Sequence, residues 1–319
     1  MGIEIRDCGT DRKRIRLAAL DMDGTILRAD KTLHPETEGD LAAAKASGIE
    51  PVFCTGRAPL ELYEYVRELP SVRYGICISG ALVYDFRDRR TIYENPVSTR
   101  WIPFLNDIAD RYDAMLHFLT PDRSIIRKGM IARMADFEMG AYQPMYRRIA
   151  TEVPDMVEEG KNRGDIFKVN IYFRSVPDRD HARDEVMAKL RSAQSLRGAE
   201  KNIQGTKWNL RGSDCSEPCL PLTVVRGEKT TLEITSAGVD KAEGLRILAQ
   251  YLNIPMSETM SIGDSENDLT ALQAAAVSVA MKNADEKIRA LCDCVTEDND
   301  HNGVGLALRR YLSSGITAI

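Results

Sequence analysis

The sequence predicts an α/β protein whose core is a doubly wound parallel sheet, interrupted by an inserted segment of α+β character. Two observations carry this prediction. Short and almost continuously apolar runs alternate with helix-period segments near both ends of the chain. The middle of the chain, about 86–236, has more scattered charge and longer polar stretches. Apolar strands separated by helices are typical of a parallel sheet that is covered on both faces.

The elements of the core follow from these runs in chain order. Apolar runs that end in polar or glycine residues predict strands over 15–21, 51–56, 74–80, 259–264, 277–281 and, more weakly, 292–296. Helix-period segments predict helices over 35–49, 59–70, 266–275 and 285–291. The first two of these begin with a proline near their start, which is the position that a helix tolerates best.

The inserted segment has a different pattern. Alternation in "KVNIYF" (168–173) and "TTLEIT" (230–235) predicts strands of an antiparallel sheet. We therefore expect a core made of residues 1–85 and 237–319, with residues 86–236 as an inserted domain. Within it, the methionines and aromatics of 130–146 are typical of the packing face of a helix, and 212–221 is typical of a loop.

Composition limits the partners and the location. The chain has 319 residues and a formal net charge of -5, which gives no electrostatic reason to expect nucleic acid or an anionic membrane surface as the main partner. No apolar stretch approaches the ~20 residues that a membrane span needs. The first residues, "MGIEIRDCGTDRKRIR", lack the apolar core of a secretion signal. We therefore expect a cytoplasmic protein, as a monomer or a small homo-oligomer.

The seven cysteines are not typical of a disulfide framework. Cys54 and Cys77 lie in apolar runs, where a thiol packs as a small hydrophobe. The spacings within two other pairs differ from those of the usual zinc knuckles, so unrelated reduced thiols are favoured over a zinc site; these pairs are Cys215 with Cys219, and Cys292 with Cys294.

Two aspartates one residue apart stand at the end of the first predicted strand, in "LAALDMDGTIL" (17–27). Residues two apart in an extended segment point to the same side, so Asp21 and Asp23 can reach one pocket. Paired carboxylates repel each other unless a cation lies between them or one holds a proton. One can attack a phosphoryl group while the other transfers a proton. The alternative is a turn that merely uses Asp-Gly chemistry, with Gly24 and Thr25 closing it.

Other chemistry-bearing residues also fall at predicted strand ends, where ligands bind in a parallel sheet. Thr55 can donate a hydrogen bond, and Gly56 lets the backbone approach an anion closely. Arg57 is either a further anion contact or a solvated side chain. Lys241 opens a predicted helix, a position that is unfavourable for a cation without an anion nearby. An acidic cluster with an amide follows the strand 259–264: Asp264, Asn267 and Asp268.

Together these stretches resemble the four ordered motifs of the haloacid dehalogenase superfamily of phosphotransferases, in its Cof-like branch with a class IIB cap. "LDMDGTIL" resembles the first motif, "FCTGR" (53–57) the second, "GVDKAEGLRIL" (238–248) the third and "SIGDSENDLTAL" (261–272) the fourth. The resemblance implies a Rossmann-like core and a cap, inserted between the second and third motifs, that selects the substrate. The chain departs from the pattern at Ser79-Gly80-Ala81, where relatives often have Asn-Gly-Ala.

The resemblance also implies roles for these residues. It makes Asp21 the nucleophile and Asp23 the general acid and base. It assigns Mg²⁺ to Asp21, the carbonyl of Asp23 and Asp264, a ligand set of oxygens that suits this ion. The implied phosphate contacts are Thr55, Gly56, Lys241 and Asn267. Asp268 would support Lys241 or the metal shell.

The function implied is a Mg²⁺-dependent phosphatase that hydrolyses a small phosphomonoester, such as a sugar phosphate, through an aspartyl-phosphate. A phosphomutase with the same intermediate, or a non-catalytic phosphoryl-acceptor or ligand-sensing module, stays open. Within the inserted segment, each candidate substrate contact is more typical of a solvated surface side chain, so none is assigned; these candidates are Arg127, Lys128, Lys168, Asn170, Arg211 and His117.

Overall fold

The structure is a computed structural model that describes residues 13–201, 221–227 and 229–312, and side chains outside 194–201. The chain forms two compact units. The first consists of Met1–Glu94 together with Asp240–Ile319, and the second of Asn95–Val239. The predicted loop 212–221, apart from its last residue, and the candidates Arg211, Cys215 and Cys219 lie outside the described residues.

The strands, in chain order, are β1 (Leu17–Leu20), β2 (Glu50–Cys54), β3 (Tyr74–Cys77), β4 (Leu82–Asp85), β5 (Arg90–Glu94), β6 (Met115–Leu119), β7 (Ser124–Arg127), β8 (Ala150–Val153), β9 (Lys168–Tyr172), β10 (Leu222–Arg226), β11 (Thr231–Ser236), β12 (Thr259–Gly263), β13 (Val277–Ala280) and β14 (Cys294–Val295).

The α-helices are α1 (Thr37–Ala46), α2 (Tyr63–Glu68), α3 (Ile102–Arg111), α4 (Gln143–Ile149), α5 (Met156–Lys161), α6 (Val176–Lys201), α7 (Lys241–Tyr251), α8 (Leu269–Ala274), α9 (Glu286–Leu291) and α10 (Gly303–Arg309). Among the described residues, none of the helices combines the length and the apolarity that crossing a membrane requires.

The first unit is built on an eight-stranded sheet in the order β14-β13-β12-β1-β2-β3-β4-β5. The strands from β14 to β3 run parallel, and β4 and β5 add an antiparallel edge. Every predicted core strand is present, and the predicted α/β class is confirmed. Because β5 pairs with β4, residues 90–94, which the prediction assigned to the inserted domain, belong to the sheet of the first unit.

The apolar character of these strands follows from burial on both faces. Leu17 and Ala19 of β1 pack with Leu245 and Leu248 of α7, and alternate residues such as Leu20, on the opposite face, are equally inaccessible to water. A one-sided sheet would instead alternate apolar and polar residues. The helix predicted over 59–70 is split into a 3₁₀ turn, Pro59–Glu61, and the short α2.

The turn between β3 and β4 has three consecutive residues in the left-handed region, Ile78 (φ 51), Ser79 (φ 57) and Gly80 (φ 96). The turn is tied to the loop after β2: the backbone N–H of Ser79 donates to the carbonyl of Thr55 at 3.0 Å, and that of Ile78 to the carbonyl of Arg57 at 2.9 Å. A Cβ on Gly80 would lie 2.0 Å from the carbonyl oxygen of Asp240, the residue before Lys241. Only glycine fits at this crossing.

The second unit contains a six-stranded sheet in the order β10-β11-β9-β6-β7-β8, antiparallel except where β7 pairs with β8. One face carries an apolar cluster with α3 and α6, for example Phe118, Val169 and Leu232 with Leu105 and Val186. The α+β character predicted for the inserted segment is therefore confirmed.

The stretch 130–146 packs as predicted but is not one helix. Met134, Phe137 and Tyr146 belong to a second apolar cluster of this unit. The backbone, however, forms two 3₁₀ segments, Ile131–Phe137 and Gly140–Tyr142, before α4 begins. The reason is local: Glu138 adopts a left-handed conformation (φ 60), which ends the first segment.

We expect Gly80→Ala to destabilise the protein by roughly 2–5 kcal/mol, because it adds left-handed strain and a collision with the backbone of Asp240. Gly48→Ala is the matched control: Gly48 has φ 87, but a Cβ there meets nothing within 4 Å. The control should lose only ~1–2 kcal/mol. Urea unfolding midpoints measure both. Equal losses would show that the close approach to Asp240 contributes nothing.

Candidate active site

Neighbouring strands of the first sheet deliver the predicted residues to one edge. Asp21 directly follows β1, Thr55 follows β2 and Asp264 follows β12, and β1 lies between the other two strands. Since these strands run parallel, their carboxyl ends meet at the same edge. The structure therefore brings together side chains that are up to 243 residues apart in the chain, from 21 to 264.

Lys241 is the centre of the site. Its side chain is 1 % exposed, and its Nζ donates to Asp21 Oδ1 at 2.7 Å and to Asp268 Oδ1 at 2.5 Å. It also donates to Asn267 Oδ1 at 3.3 Å. Burial alone would lower the pKa of Lys241, but the two carboxylates raise it well above its usual value, so the ammonium stays charged.

Asp268 holds the loop that carries Asp264. Its Oδ2 accepts the backbone N–H groups of Asp264 and Ser265, both at 3.0 Å, and the Ser265 hydroxyl at 3.1 Å. With Lys241 on its other oxygen, this carboxylate is fully engaged by protein donors. It supports the site and is less available than its neighbours as a metal ligand.

Asp264 is held next to the loop after β1. Its Oδ1 accepts the Thr25 hydroxyl at 2.8 Å, and a Cβ on Gly24 would lie 2.4 Å from its Oδ2. The glycine of the first motif therefore also makes room for the carboxylate of the fourth. Burial and the charge of Asp268 raise the pKa of Asp264 to about 6.

The arrangement fits a divalent cation. One oxygen each of Asp21, Asp264 and Asp268 lies within 4.8 Å of the others. Burial, followed by the charge of Asp268, raises the pKa of Asp21 well above its usual value despite the lysine. Three carboxylates therefore share the single ammonium of Lys241 in a site that is largely shielded from water. Asp21 and Asp264 would hold the cation, and their hard oxygens suit Mg²⁺ better than zinc.

Asp23 lies in a different environment from Asp21. Arg57 donates to both of its oxygens, from Nε to Oδ2 at 2.8 Å and from Nη2 to Oδ1 at 2.7 Å. Lys31 adds a third bond to Oδ1 at 2.7 Å. Burial opposes ionisation, but Arg57 and Lys31 outweigh it and lower the pKa of Asp23 to about 2. Its side chain is therefore not part of the acidic cluster; the prediction assigned only its backbone carbonyl to the metal.

Thr55 and Gly56 form the remaining part of the edge. Thr55 is 2 % exposed, and its hydroxyl accepts the backbone N–H of Arg57 at 3.2 Å. Arg57, which the sequence left open between anion contact and solvated side chain, pairs with Asp23 instead. Lys31 was missed altogether, because a lysine in a polar loop gives no sequence signal until the fold brings it to Asp23.

Cys54 and Cys77 are free and buried, as their apolar surroundings predicted. Burial raises the pKa of Cys54 to about 12, so this thiol, next to Thr55 in sequence, stays protonated.

A family model identifies the family of this chain. A family model described as haloacid dehalogenase-like hydrolase matches residues 18–308. Phosphatase YwpJ of Bacillus subtilis is 26% identical over 306 residues, covering 93% of this chain and 100% of YwpJ. Pyridoxal phosphate phosphatase YbhA of Escherichia coli is 24% identical over 306 residues, covering 93% and 98%.

Solved structures share the fold. A haloacid dehalogenase-like hydrolase from Bacteroides thetaiotaomicron superposes with a TM-score of 0.72 at 21% identity, covering 93% of this chain and 99% of that chain. A subclass IIB sugar phosphatase of the superfamily superposes with a TM-score of 0.71 at 18% identity, covering 93% and 98%. This chain belongs to the haloacid dehalogenase-like hydrolase family, in its Cof-like branch. It is an enzyme of the phosphatase class.

We expect Lys241→Met to cost about 3–5 kcal/mol of unfolding free energy, because it leaves the buried carboxylates of Asp21 and Asp268 without their cation. Lys282→Met is the matched control, since 35 % of the Lys282 side chain is exposed, compared with 1 % for Lys241, and it pairs with Glu297 at 2.9 Å. It should change stability little. Urea unfolding measures both variants, and similar midpoints would contradict a special role for the buried lysine.

Proposed function

We propose that this enzyme is a Mg²⁺-dependent phosphatase that hydrolyses small phosphomonoesters, such as sugar phosphates, through an aspartyl-phosphate on Asp21. The observation that carries the proposal is the buried bond from Lys241 to Asp21, at the edge where Asp264 and Asp268 converge. The buried ammonium of Lys241 holds the Asp21 carboxylate in place, and the neighbouring carboxylate oxygens could hold a metal ion. A carboxylate in this environment is suited to in-line attack on a phosphoryl group.

The first half-reaction assigns distinct work to the two aspartates of the first motif. Lys241 donates to Oδ1 of Asp21, which leaves Oδ2 to attack phosphorus while the bond to the leaving oxygen breaks. Asp23 is ionised while Arg57 and Lys31 hold it, so it first takes up a proton when the anionic phosphate of the substrate enters beside it; it then gives that proton to the leaving oxygen, and the alcohol leaves neutral. Thr55, the Gly56 backbone, Lys241 and the side-chain amide of Asn267 are the donors for the phosphoryl oxygens.

The second half-reaction reverses the proton flow. Asp23, now deprotonated, takes a proton from a water molecule. That water attacks phosphorus, the bond to the Asp21 oxygen breaks and inorganic phosphate leaves. Mg²⁺, when bound, supplies charge neutralisation between the carboxylates and the phosphoryl group.

The net charge of -5 also supports a small-molecule partner over nucleic acid. The cytoplasmic location and the monomeric or small homo-oligomeric state stay predictions.

We further propose that the second unit selects the leaving group, and that a polar strip across its sheet does so. Lys168, Asn170 and His117 are buried, although the sequence favoured solvated side chains. They share one face of the sheet with Glu233, because Asn170 pairs with both His117 and Glu233 in the sheet register. The opposite face carries the apolar cluster that contains Phe118 and Val169.

Two features of this strip support a polar ligand. Lys168 Nζ lies 3.3 Å from Glu233 Oε2, so its charge is compensated and the strip carries both donors and acceptors. Asn170 donates to the Tyr172 hydroxyl at 3.0 Å, but its buried Oδ1 accepts no hydrogen bond from any described residue. A buried acceptor without a partner is costly, and a hydroxyl of a sugar-like leaving group would satisfy it.

The activity test is phosphate release from a panel of sugar phosphates, nucleotides and p-nitrophenyl phosphate, with Mg²⁺ and with chelator. We expect Mg²⁺-dependent release by the wild type and a loss of at least about 100-fold in Asp21→Asn. Transfer of the phosphoryl group to a second hydroxyl, with no free phosphate, would instead indicate a mutase. Stoichiometric phosphorylation of Asp21 without turnover would indicate a phosphoryl acceptor or sensor.

The second unit is tested with Asn170→Ala. We expect the ratio of kcat/KM for the best sugar phosphate to that for p-nitrophenyl phosphate to fall roughly tenfold, the value of one hydrogen bond. Asn162→Ala, at an exposed position of the same unit, is the matched control and should leave the ratio unchanged. An unchanged ratio in Asn170→Ala would contradict leaving-group recognition by this strip.

A further inference from the structure

We propose that Arg57 is a positioning residue for Asp23, which holds both oxygens of this carboxylate in the orientation that proton transfer to the leaving group needs. The inference rests on the proposed function, because that function assigns the proton transfer to Asp23. The sequence left the role of Arg57 open. Orienting Asp23 is a role distinct from both phosphate binding and general stabilisation of the fold.

The geometry of the pair is the first argument. The Nε and Nη2 atoms of Arg57 donate side by side to the two oxygens of Asp23, at 2.8 and 2.7 Å. Such a two-bond contact fixes the plane of a carboxylate as well as its position. The Asp23 side chain is 38 % exposed, whereas that of Arg57 is 13 % exposed. A carboxylate so open to water would otherwise rotate, so the more buried partner determines its orientation.

Arg57 is itself held on three sides. Its backbone N–H donates to the Thr55 hydroxyl at 3.2 Å, and its carbonyl accepts the N–H of Ile78 at 2.9 Å. Its guanidinium lies over the ring of Tyr65, 5.5 Å from the ring centre. The orientation of Asp23 is therefore set from the end of β2, the same loop that supplies Thr55 to the phosphoryl group. The carboxylate of Asp23 and the hydroxyl of Thr55 are thus both positioned by this loop.

Lys31 contacts the same carboxylate but differs in what it can do. Its Nζ donates to Oδ1 at 2.7 Å, and its side chain is 45 % exposed. An ammonium on a flexible stem supplies charge but does not fix a plane. If charge alone mattered, Lys31 and Arg57 would be interchangeable. If orientation matters, the guanidinium of Arg57 is required and a lysine at 57 does not replace it.

The experiment compares leaving groups. p-Nitrophenolate departs without a proton, whereas the alkoxide of a sugar or glycerol phosphate must be protonated as it leaves. We expect Arg57→Met to lower kcat/KM about 100-fold on an alkyl phosphate and less than about fivefold on p-nitrophenyl phosphate, in line with the usual size of general acid catalysis. Asp23→Asn should show the same split. Arg57→Met in that background should lower kcat/KM for the alkyl phosphate no further.

Two further variants separate the explanations. Arg57→Lys keeps the charge without the two-bond geometry, and we expect it to recover less than about tenfold of the loss on the alkyl phosphate. Arg67→Met, at an exposed position of α2, is the matched control and should leave both substrates unaffected. Circular dichroism and thermal unfolding of each variant establish that it is folded. If Arg57→Met does not fold, Arg57→Lys and Arg57→Gln are judged by the same comparison.

Several outcomes would overturn the inference. Equal losses of kcat/KM on both substrates would mean that Arg57 acts through stability or phosphate binding. A gain on the alkyl phosphate would mean that Arg57 restrains Asp23. Full recovery in Arg57→Lys would mean that only the charge matters. Failure of the proposed function looks different, since the wild type would then lack Mg²⁺-dependent release or Asp21→Asn would retain it.

Discussion

The fold of the first unit depends on the compensation of negative charge at one edge of its sheet. Asp21, Asp264 and Asp268 are placed there by strands that are buried on both faces; Asp21 and Asp268 are buried, and Asp264 is half-buried. Lys241 offsets part of the charge through short bonds to two of them. Burial first, and then the charge of Asp268, raises the pKa values of Asp21 and Asp264. A divalent cation is the natural complement of this deficit.

The same constraint explains where backbone strain is tolerated. Gly80 lies against the backbone of Asp240, and Gly24 lies against the side chain of Asp264. Each contact joins the N-terminal part of the unit to the part that follows the inserted segment. The contact at Gly80 sets the start of α7, which carries Lys241, against the turn after β3. The positive φ angles from Ile78 to Gly80 are therefore linked to the position of the buried lysine.

Asp21 and Asp23 illustrate how two aspartates separated by one residue acquire different chemistry. Burial and acidic neighbours dominate at Asp21, and cationic neighbours dominate at Asp23, so their pKa values move in opposite directions. Such separation is how one site assigns nucleophilic and proton-transfer roles to the same residue type. In the second unit, the two faces of the sheet also differ. One face packs on an apolar cluster, and the other buries Lys168 beside Glu233 and leaves the amide oxygen of Asn170 without a hydrogen bond from any described residue.

The sequence by itself determined the α/β class, the core strands and the four motifs, because apolar runs that end in Asp21, Thr55 and Asp264 report burial and strand ends locally. It could not place the residues that act through distant partners. Lys31 and Arg57 are ordinary basic residues until the fold brings them to Asp23, and Lys168 and Asn170 match surface residues until the sheet buries them. The 3₁₀ segments of 131–142 likewise replaced a helix that the apolar pattern favoured. Charge compensation, burial and close backbone contact arise between segments far apart in the chain, and for that reason only the tertiary structure decided them.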